Sequence, residues 1–584
     1  MPIERTKGLT PLSSWSRLAS IGLMATVASC QSATPSPETG PTPSAATTAA
    51  PARPLVVERV PAFTPTVVRF TPDSAAKLAK AGREAITAQV ASGLQLSLWA
   101  PETLVSDPIG ISFDEQGRLF VTQTTRTNRN EIDIRAHPDW MVPSITFKDV
   151  EDKRAFYQTI LSPARSAQNT WLKDFNGDGS RDWHDLTTHK EKLWRLEDTN
   201  GDGVADFSQL VLEDFHDLVT DVLHDVLSYK NDLYVTISPD LWRLRDTNGD
   251  GVFDTKESLS HGSGVHIGFG GHGHSSPLIG PDGRLYWKQG DLGVNITNRE
   301  GRKLVNPNSG VILRANLDGT EEEIFATGLR NPQDFDFDEY GNIISPDNDG
   351  DHPGETERLV YIVDGMDSGW RINWQFGKYG DPDNNTYKVW MDESMFKPRF
   401  AGQAAYFTPP LAAWHAGPSG FARNPGTALE DKWKGYFFNA VFTGAPARAS
   451  IQAFKLAPQG AGFRLADDQA VVSGGILSTG VRFGPDGALY MADWIEGWDP
   501  KDRGRVWKLD VASGATTPAR AETKALIAAD FKTRSPAELV ALLRHADMRV
   551  RTKAQFELVD RGAAAELLGA ARQPENQLER IHGL

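Results

Sequence analysis

Gly280-Pro281-Asp282-Gly283-Arg284-Leu285-Tyr286 and Gly484-Pro485-Asp486-Gly487-Ala488-Leu489-Tyr490 are two copies of one phrase, a tight turn that feeds an alternating strand. Four looser copies accompany them: Asp114-Glu115-Gln116-Gly117-Arg118-Leu119-Phe120, Asn231-Asp232-Leu233-Tyr234, Asp338-Glu339-Tyr340-Gly341-Asn342-Ile343 and Lys434-Gly435-Tyr436-Phe437-Phe438. In each, Gly, Asp or Asn stands where the backbone must reverse, as a hairpin turn requires. A second repeat, Leu193-Trp194-Arg195-Leu196, returns 48 residues later as Leu241-Trp242-Arg243-Leu244, and Val506-Trp507-Lys508-Leu509 closes the series. A four-stranded propeller blade takes roughly 40–50 residues. The spacing therefore predicts an all-β six-bladed β-propeller over residues 55–512, with seven blades as the structural alternative. Gly 53, Pro 36 and Trp 16 suit many short strands, many turns and large rings between sheets.

Composition narrows the function. The 584-residue chain carries a formal charge of −15, which argues against a nucleic-acid partner, because phosphate binding needs a basic face. The single Cys excludes a disulfide framework and a CxxCH haem site within the chain. That Cys30 follows a basic stretch with Arg5, Lys7 and Arg17 and the apolar run Leu18–Ser29, too short for a bilayer span of about 20 residues. Residues 1–29 read as a signal peptide, and Val27-Ala28-Ser29-Cys30 resembles a bacterial lipobox, which implies lipidation at Cys30 and a lipoprotein held at the cell envelope, facing the periplasm or exterior. Residues 30–54, rich in Pro, Ser, Thr and Ala, read as a disordered tether.

After the propeller, residues 513–584 change to Ala, Leu, Arg and Glu at helical spacing, with Ser535-Pro536-Ala537-Glu538 as a helix start. The stretch Leu539–Leu543 through Val550-Arg551 and Ala554–Gly562 resembles a HEAT repeat. About one and a half such units cannot close a solenoid core, so the expectation is a truncated array; the alternative is helices docked on the propeller.

Three segments share the pattern D-x-N-x-D-G-x-x-D: Asp174, Asn176, Asp178 and Asp182; Asp198, Asn200, Asp202 and Asp206; Asp246, Asn248, Asp250 and Asp254. Alternate oxygen ligands, a turn Gly and a later carboxylate suit calcium, and a calcium-loop insertion over 170–257 is the expectation. Only the third loop has a Glu, Glu257, at the twelfth position. The pattern resembles dockerin or thrombospondin loops, and a structural role is expected.

Polar groups concentrate in Gly270-Gly271-His272-Gly273-His274-Ser275-Ser276, followed by Gln289-Gly290-Asp291. They concentrate again in Gly328-Leu329-Arg330-Asn331-Pro332-Gln333, followed by Asp347–Leu359 and Asp367-Ser368-Gly369-Trp370. These segments resemble the soluble quinoprotein glucose and sorbosone dehydrogenase family, most specifically at Gly328–Gln333. The resemblance implies pyrroloquinoline quinone and Ca2+ as cofactors and a sugar or polyol as substrate. It implies His272 as the base, with His274 the substitute if the loop is shifted, and Arg330, Asn331 and Gln333 as cofactor contacts. A calcium site follows in Gly350, Asp351 and His352, and Lys288, His415 and Arg482 are nearby cationic candidates. Gly271, where the family commonly has Asp, and Asp334 depart from its pattern. The whole chain also resembles bacterial lipoproteins labelled membrane-bound dehydrogenases, which implies an external cytochrome or quinone as electron acceptor. Two other functions compete: a non-catalytic scaffold binding carbohydrate or protein, and a calcium-dependent lactonase-like hydrolase.

Overall fold

The computed structural model describes residues 53–348, 356–373, 375–376, 397, 399–403, 407–514 and 516–584. The signal-peptide and tether residues up to 52, Cys30 among them, and the Gly350–His352 segment lie outside the described residues.

Six antiparallel sheets of four or five strands follow one another along the chain. Blade 1 is Pro108–Phe113, Leu119–Gln123, Glu191–Glu197 and Phe207–Asp214; blade 2 is Asp225–Tyr229, Asp232–Ile237, Asp240–Arg245 and Thr255–His261. Blade 3 is His274–Ile279, Leu285–Gln289, Gly310–Ala315 and Glu323–Leu329, with the hairpin Val294–Thr297/Lys303–Asn306 inserted. Blade 4 is Asp336–Phe337, Ile343–Asp347, Glu357–Ile362 and Ala412–Trp414. Blade 5 is Pro418–Arg423, Tyr436–Val441, Ser450–Gln459 and Gly462–Ser473. Blade 6 takes only Ser478–Phe483, Leu489–Asp493 and Arg505–Val511 from the end of the propeller. Its outer strand is Leu94–Ala100, paired from Val506↔Ala100 to Val511↔Leu94. The beginning of the propeller thus closes the ring on its end. Upstream of that strand, Val56–Arg59, Val67–Arg69 and Gln89–Val90 add outer strands to blades 2, 1 and 5.

The repeated turns join the first and second strands of every blade. Gly117, Gly283, Gly341, Gly435 and Gly487 hold φ between +76° and +86°, and in blade 2 Lys230 and Asn231 hold +50° and +69°, a region open to Gly and Asn at least cost. The preceding Asp adds a second device: Asp114 Oδ1 accepts the amides of Gln116 and Arg118, and Asp338 Oδ1 those of Tyr340 and Asn342.

A buried apolar cluster fills each junction between neighbouring blades. Leu193, Val211, Val226 and Val235 join blades 1 and 2; Tyr234, Leu259, Trp287 and Leu313 join 2 and 3; Ile312, Phe325, Ile343 and Val360 join 3 and 4. Ile344, Leu359, Phe437 and Phe454 join 4 and 5; Phe438, Ile451, Met491 and Trp507 join 5 and 6; Val121, Leu196, Tyr490 and Val506 join 6 and 1. The last junction completes the circuit with six blades, and the seven-bladed alternative falls.

In a meander the loops alternate between the two rims. First-to-second and third-to-fourth turns share the lower rim, and second-to-third loops and blade-to-blade connections share the upper one. Five α-helices, Pro518–Ala528, Pro536–Leu542, Met548–Asp560, Ala564–Ala571 and Gln577–Gly583, follow the propeller and pack together, docked on the lower rim chiefly through the third. Met548–Asp560 meets the turn region of each blade. Its Met548 amide donates to Pro425 O, Arg549 Nη1 to Gly484 O and Gln555 Nε2 to Pro281 O. Lys553 pairs with Glu115 at 2.9 Å, Asp560 with Lys230 at 2.6 Å, and Thr552 shares a cavity with Asp338 and Gly341. The docked arrangement, weighed as the alternative to an open array, is the one observed.

Candidate functional site

On the upper rim, His272 stands in the connection entering blade 3, and Asp291 follows that blade's second strand. The His272 Nδ1–H donates to Asp291 Oδ1 at 2.7 Å, and Trp370 Nε1 donates to Asp291 Oδ2 at 2.8 Å. Burial lowers the His272 pKa below the ordinary imidazole value; Asp291 opposes this and Arg330 reinforces it. Burial pushes Asp291 up, but the His272 ring, Arg330 and the Trp370 indole bring its carboxyl below the usual range. The pair is therefore an ionised carboxylate holding a neutral imidazole with its proton on Nδ1. His272 Nε2 takes no hydrogen bond among the described residues and presents a lone pair.

Arg330, in the connection entering blade 4, lies with its guanidinium carbon 5.5 Å from the ring centres of both Phe269 and Trp370. Its Nε donates to Gln375 Oε1 at 3.0 Å. Asp347 fixes the backbone: its carboxylate accepts the amides of Arg330 at 3.1 Å and Asn331 at 2.8 Å, and pairs with the buried Arg358. His272 and Arg330 thus face a shared group, Asp291, from consecutive blades.

The other expected residues divide. Asn331 Nδ2 and Gln333 Nε2 both donate to Gly271 O, at 3.1 and 3.0 Å, so these amides hold the His272 loop. Lys288, fully buried, donates to Asn331 Oδ1 at 2.6 Å, and burial lowers its pKa to about 7. His274 is buried inside blade 3, its Nδ1–H donating to Asp240 O at 3.2 Å, with its pKa pushed down to about 4 by burial. Arg482 lies in the axial channel, about 340 Å³ of space lined by Gly110, Asp225, Ser275, Gly420 and Gly480 among others. There it pairs with Asp334 at 2.5 Å and Asp225 at 3.1 Å. His415 pairs with Asp468 at 2.7 Å on blade 5, away from the His272 loop.

The acidic loops are spread over both rims rather than gathered in one insertion. Asp174–Asp182 lies in the long second-to-third connection of blade 1, whereas Asp198–Asp206 and Asp246–Asp254 are third-to-fourth turns of blades 1 and 2 on the lower rim. All three fold alike. Asp174 and Asp246 each accept two amides of their own loop and Asp198 accepts three; Asn176, Asn200 and Asn248 each accept the amide two residues on; and Asp178, Asp202 and Asp250 do the same. Asp182 accepts the His184 amide, and Asp206 and Asp254 accept from Thr199 and Thr247. Glu257 is turned to Arg243 and Arg245. Among the described residues no three His, Cys, Asp or Glu side chains converge as a metal site.

Asp291 and Asp347 were quoted in the sequence without a role. For Asp347 the signal was its repeat position, at the end of a second strand, which Asp493 shares in blade 6. At the end of the second strand of blade 6, Asp493 accepts the Leu477 amide of the connection entering that blade, as Asp347 accepts those of Arg330 and Asn331 in blade 4. In blade 3 that position is Gln289, paired with His274, and the carboxylate that meets the imidazole, Asp291, lies two residues further on. Gly290 lets it happen: a Cβ there would lie 2.3 Å from His272 O and 3.0 Å from Asn331 Oδ1. Gly290→Ala is expected to displace the His272 loop and lower the melting temperature, by about 1–3 kcal/mol of stability as overpacking costs, measurable by calorimetry.

A ring of six blades carrying, on one rim, a carboxylate-held imidazole beside a guanidinium is a propeller with a built polar site. The chain belongs to the family described as a domain of unknown function, DUF7133, whose model matches residues 82–498. No curated protein matches it. Among solved structures it is similar to the pyrroloquinoline-quinone-bound aldose sugar dehydrogenase of Streptomyces coelicolor, at 15% identity over 72% of this chain and 100% of that one, TM-score 0.38. It is also similar to the pyranose dehydrogenase quinone domain of Coprinopsis cinerea, at 12% over 73% and 97%, TM-score 0.38. A third is the carbohydrate-active enzyme family AA12 protein of Trichoderma reesei, at 11% over 73% and 98%, TM-score 0.41.

Proposed function

We propose that the chain is a quinoprotein-type dehydrogenase that oxidises a hydroxyl of a sugar or polyol. The observation that carries this reading is His272, held neutral through Nδ1 by the buried Asp291, with Nε2 unclaimed and Arg330 beside the same carboxylate. A neutral imidazole so oriented is a general base, and a guanidinium on the same rim, with the buried Lys288 amine bonded to Asn331, suits an anionic planar cofactor. The donor set therefore fits pyrroloquinoline quinone, with Arg330 and Lys288 as the cationic side of its site. That group, when bound, supplies a hydride acceptor.

The chain's own part is proton chemistry. His272 Nε2 takes the proton of the substrate hydroxyl, Asp291 stabilises the imidazolium that results, and the Trp370 indole keeps Asp291 in place. The calcium expected with the cofactor falls on Gly350, Asp351 and His352, outside the described residues. Lipidation at Cys30, an envelope location and transfer of electrons to a cytochrome or quinone complete the proposal.

The test is reconstitution with pyrroloquinoline quinone and calcium, followed by dye reduction with aldoses. Because His272 is lowered by burial, kcat/KM should hold as the pH drops past the ordinary imidazole pKa of about 6.5 and fall only below it. No cofactor uptake at micromolar levels would leave the scaffold reading in its place.

A further inference from the structure

We infer that Glu131 and Asp133, supplied by the long connection of blade 1, are positioning residues for His272, because they hold the two glycine amides that precede it. The inference deepens the dehydrogenase reading and rests on it for the role of His272. The loop needs such support: Gly270-Gly271-His272-Gly273 is glycine on both sides of the base, with Gly271 at φ +79°, and glycine loses the most freedom on being ordered.

Glu131 Oε1 accepts the Gly271 amide at 2.8 Å and Asp133 Oδ2 accepts the Gly270 amide at 3.1 Å. The Gly271 carbonyl is taken from the other side by Asn331 and Gln333. One residue, Gly271, is therefore gripped through its N–H by blade 1 and through its C=O by the connection entering blade 4.

The grip starts from a rigid base. The Glu131 amide donates to Arg126 O at 3.1 Å, and the buried Arg126 guanidinium donates to His189 O, Asp217 O and Thr220 O at 3.1, 3.2 and 2.8 Å. Glu191 accepts the amides of Thr125 and Arg126 at 2.8 and 3.1 Å. Arg135 in turn holds Asp133 through both carboxylate oxygens.

Glu131 Oε2 and Asp221 Oδ2 are both buried with no donor. Burial and the neighbouring Asp221 push the Glu131 carboxyl well above its ordinary range, so a protonated Glu131 can donate to Asp221 while its other oxygen keeps Gly271. Asp221 also bounds the loop beyond the base, where a Cβ on Gly273 would lie 2.3 Å from its Oδ2. A misplacement of about 1 Å costs on the order of 10²-fold in rate, which is the scale of effect such a clamp controls.

The experiment compares Glu131→Ala, Glu131→Gln and Asp133→Ala in the reconstituted full chain. It measures kcat and KM for dye-linked sugar oxidation and, separately, amide hydrogen exchange of the 268–274 segment. Glu131→Ala is expected to lower kcat by about 10²-fold with KM little changed, and to speed exchange in that segment. Glu131→Gln, which keeps an oxygen for Gly271 and an N–H for Asp221, is expected to restore both. Asp133→Ala should speed the same exchange, and it serves if Glu131→Ala does not fold. Wild-type exchange in the 268–274 segment of both alanine variants overturns the inference. If the wild type takes up cofactor but oxidises no sugar, the dehydrogenase reading fails, while faster exchange in the variants still upholds the clamp.

Discussion

His272→Ala is expected to lower the rate of dye-linked sugar oxidation by about 10²–10⁴-fold, the span general bases contribute, while cofactor uptake persists. In the proposed reaction the ring is the group whose Nε2 lone pair accepts the substrate proton, and His274 is a weaker base, its Nδ1–H donating to Asp240 O of blade 2 and its pKa pushed down to about 4 by burial. Asp291→Asn should approach the same loss for a different reason. An amide turned with its NH2 toward Nδ1 would donate to it, move the ring proton to Nε2 and leave no lone pair on the reacting side. Stopped-flow dye reduction under cofactor saturation measures both. Wild-type rates in His272→Ala would remove the base from the proposal.

Asp347→Ala is expected to destabilise the protein by about 3–5 kcal/mol, the cost of breaking a buried ion pair by removing one member. Asp347 is fully buried and Arg358 is 2% exposed. With the carboxylate gone, the Arg330 and Asn331 amides also lose their acceptor. The Arg358 guanidinium also donates to Ser368 O and Gly328 O. Denaturant unfolding followed by tryptophan fluorescence checks the magnitude, and a loss of cofactor affinity should accompany it because Arg330 is carried on that backbone.

The blades were legible because their turns obey local rules: a glycine at positive φ after an aspartate that caps the turn reads the same in a string of letters as in three dimensions. The third-strand tryptophans gave the period for the same reason. The pairing of His272 with Asp291 was not legible, since Asp291 lies beyond the repeated strand-end position, in a loop whose close approach to the His272 carbonyl depends on Gly290. Glu131 was further from reach. It sits in the connection between two strands of blade 1, and nothing in its neighbourhood along the chain announces that blade 3 lies across from it. The terminal helices showed apolar faces in need of a neighbour, but the neighbour is a rim assembled from residues hundreds of positions earlier. Asn331 and Gln333 matched the motif, and the structure turns their amides to Gly271.

Repeat architectures ordinarily couple each unit only to the next, so that damage can spread locally and melting can become piecemeal. The Met548–Asp560 helix changes that arithmetic, because one rod bonded to turns of five blades and facing a cavity at the sixth couples each blade to the others. Together with the outer strand lent to blade 6 from the other end of the domain, it ties the first and last parts of the polypeptide into the same all-or-none event, and the base-bearing loop on the far rim inherits that shared rigidity.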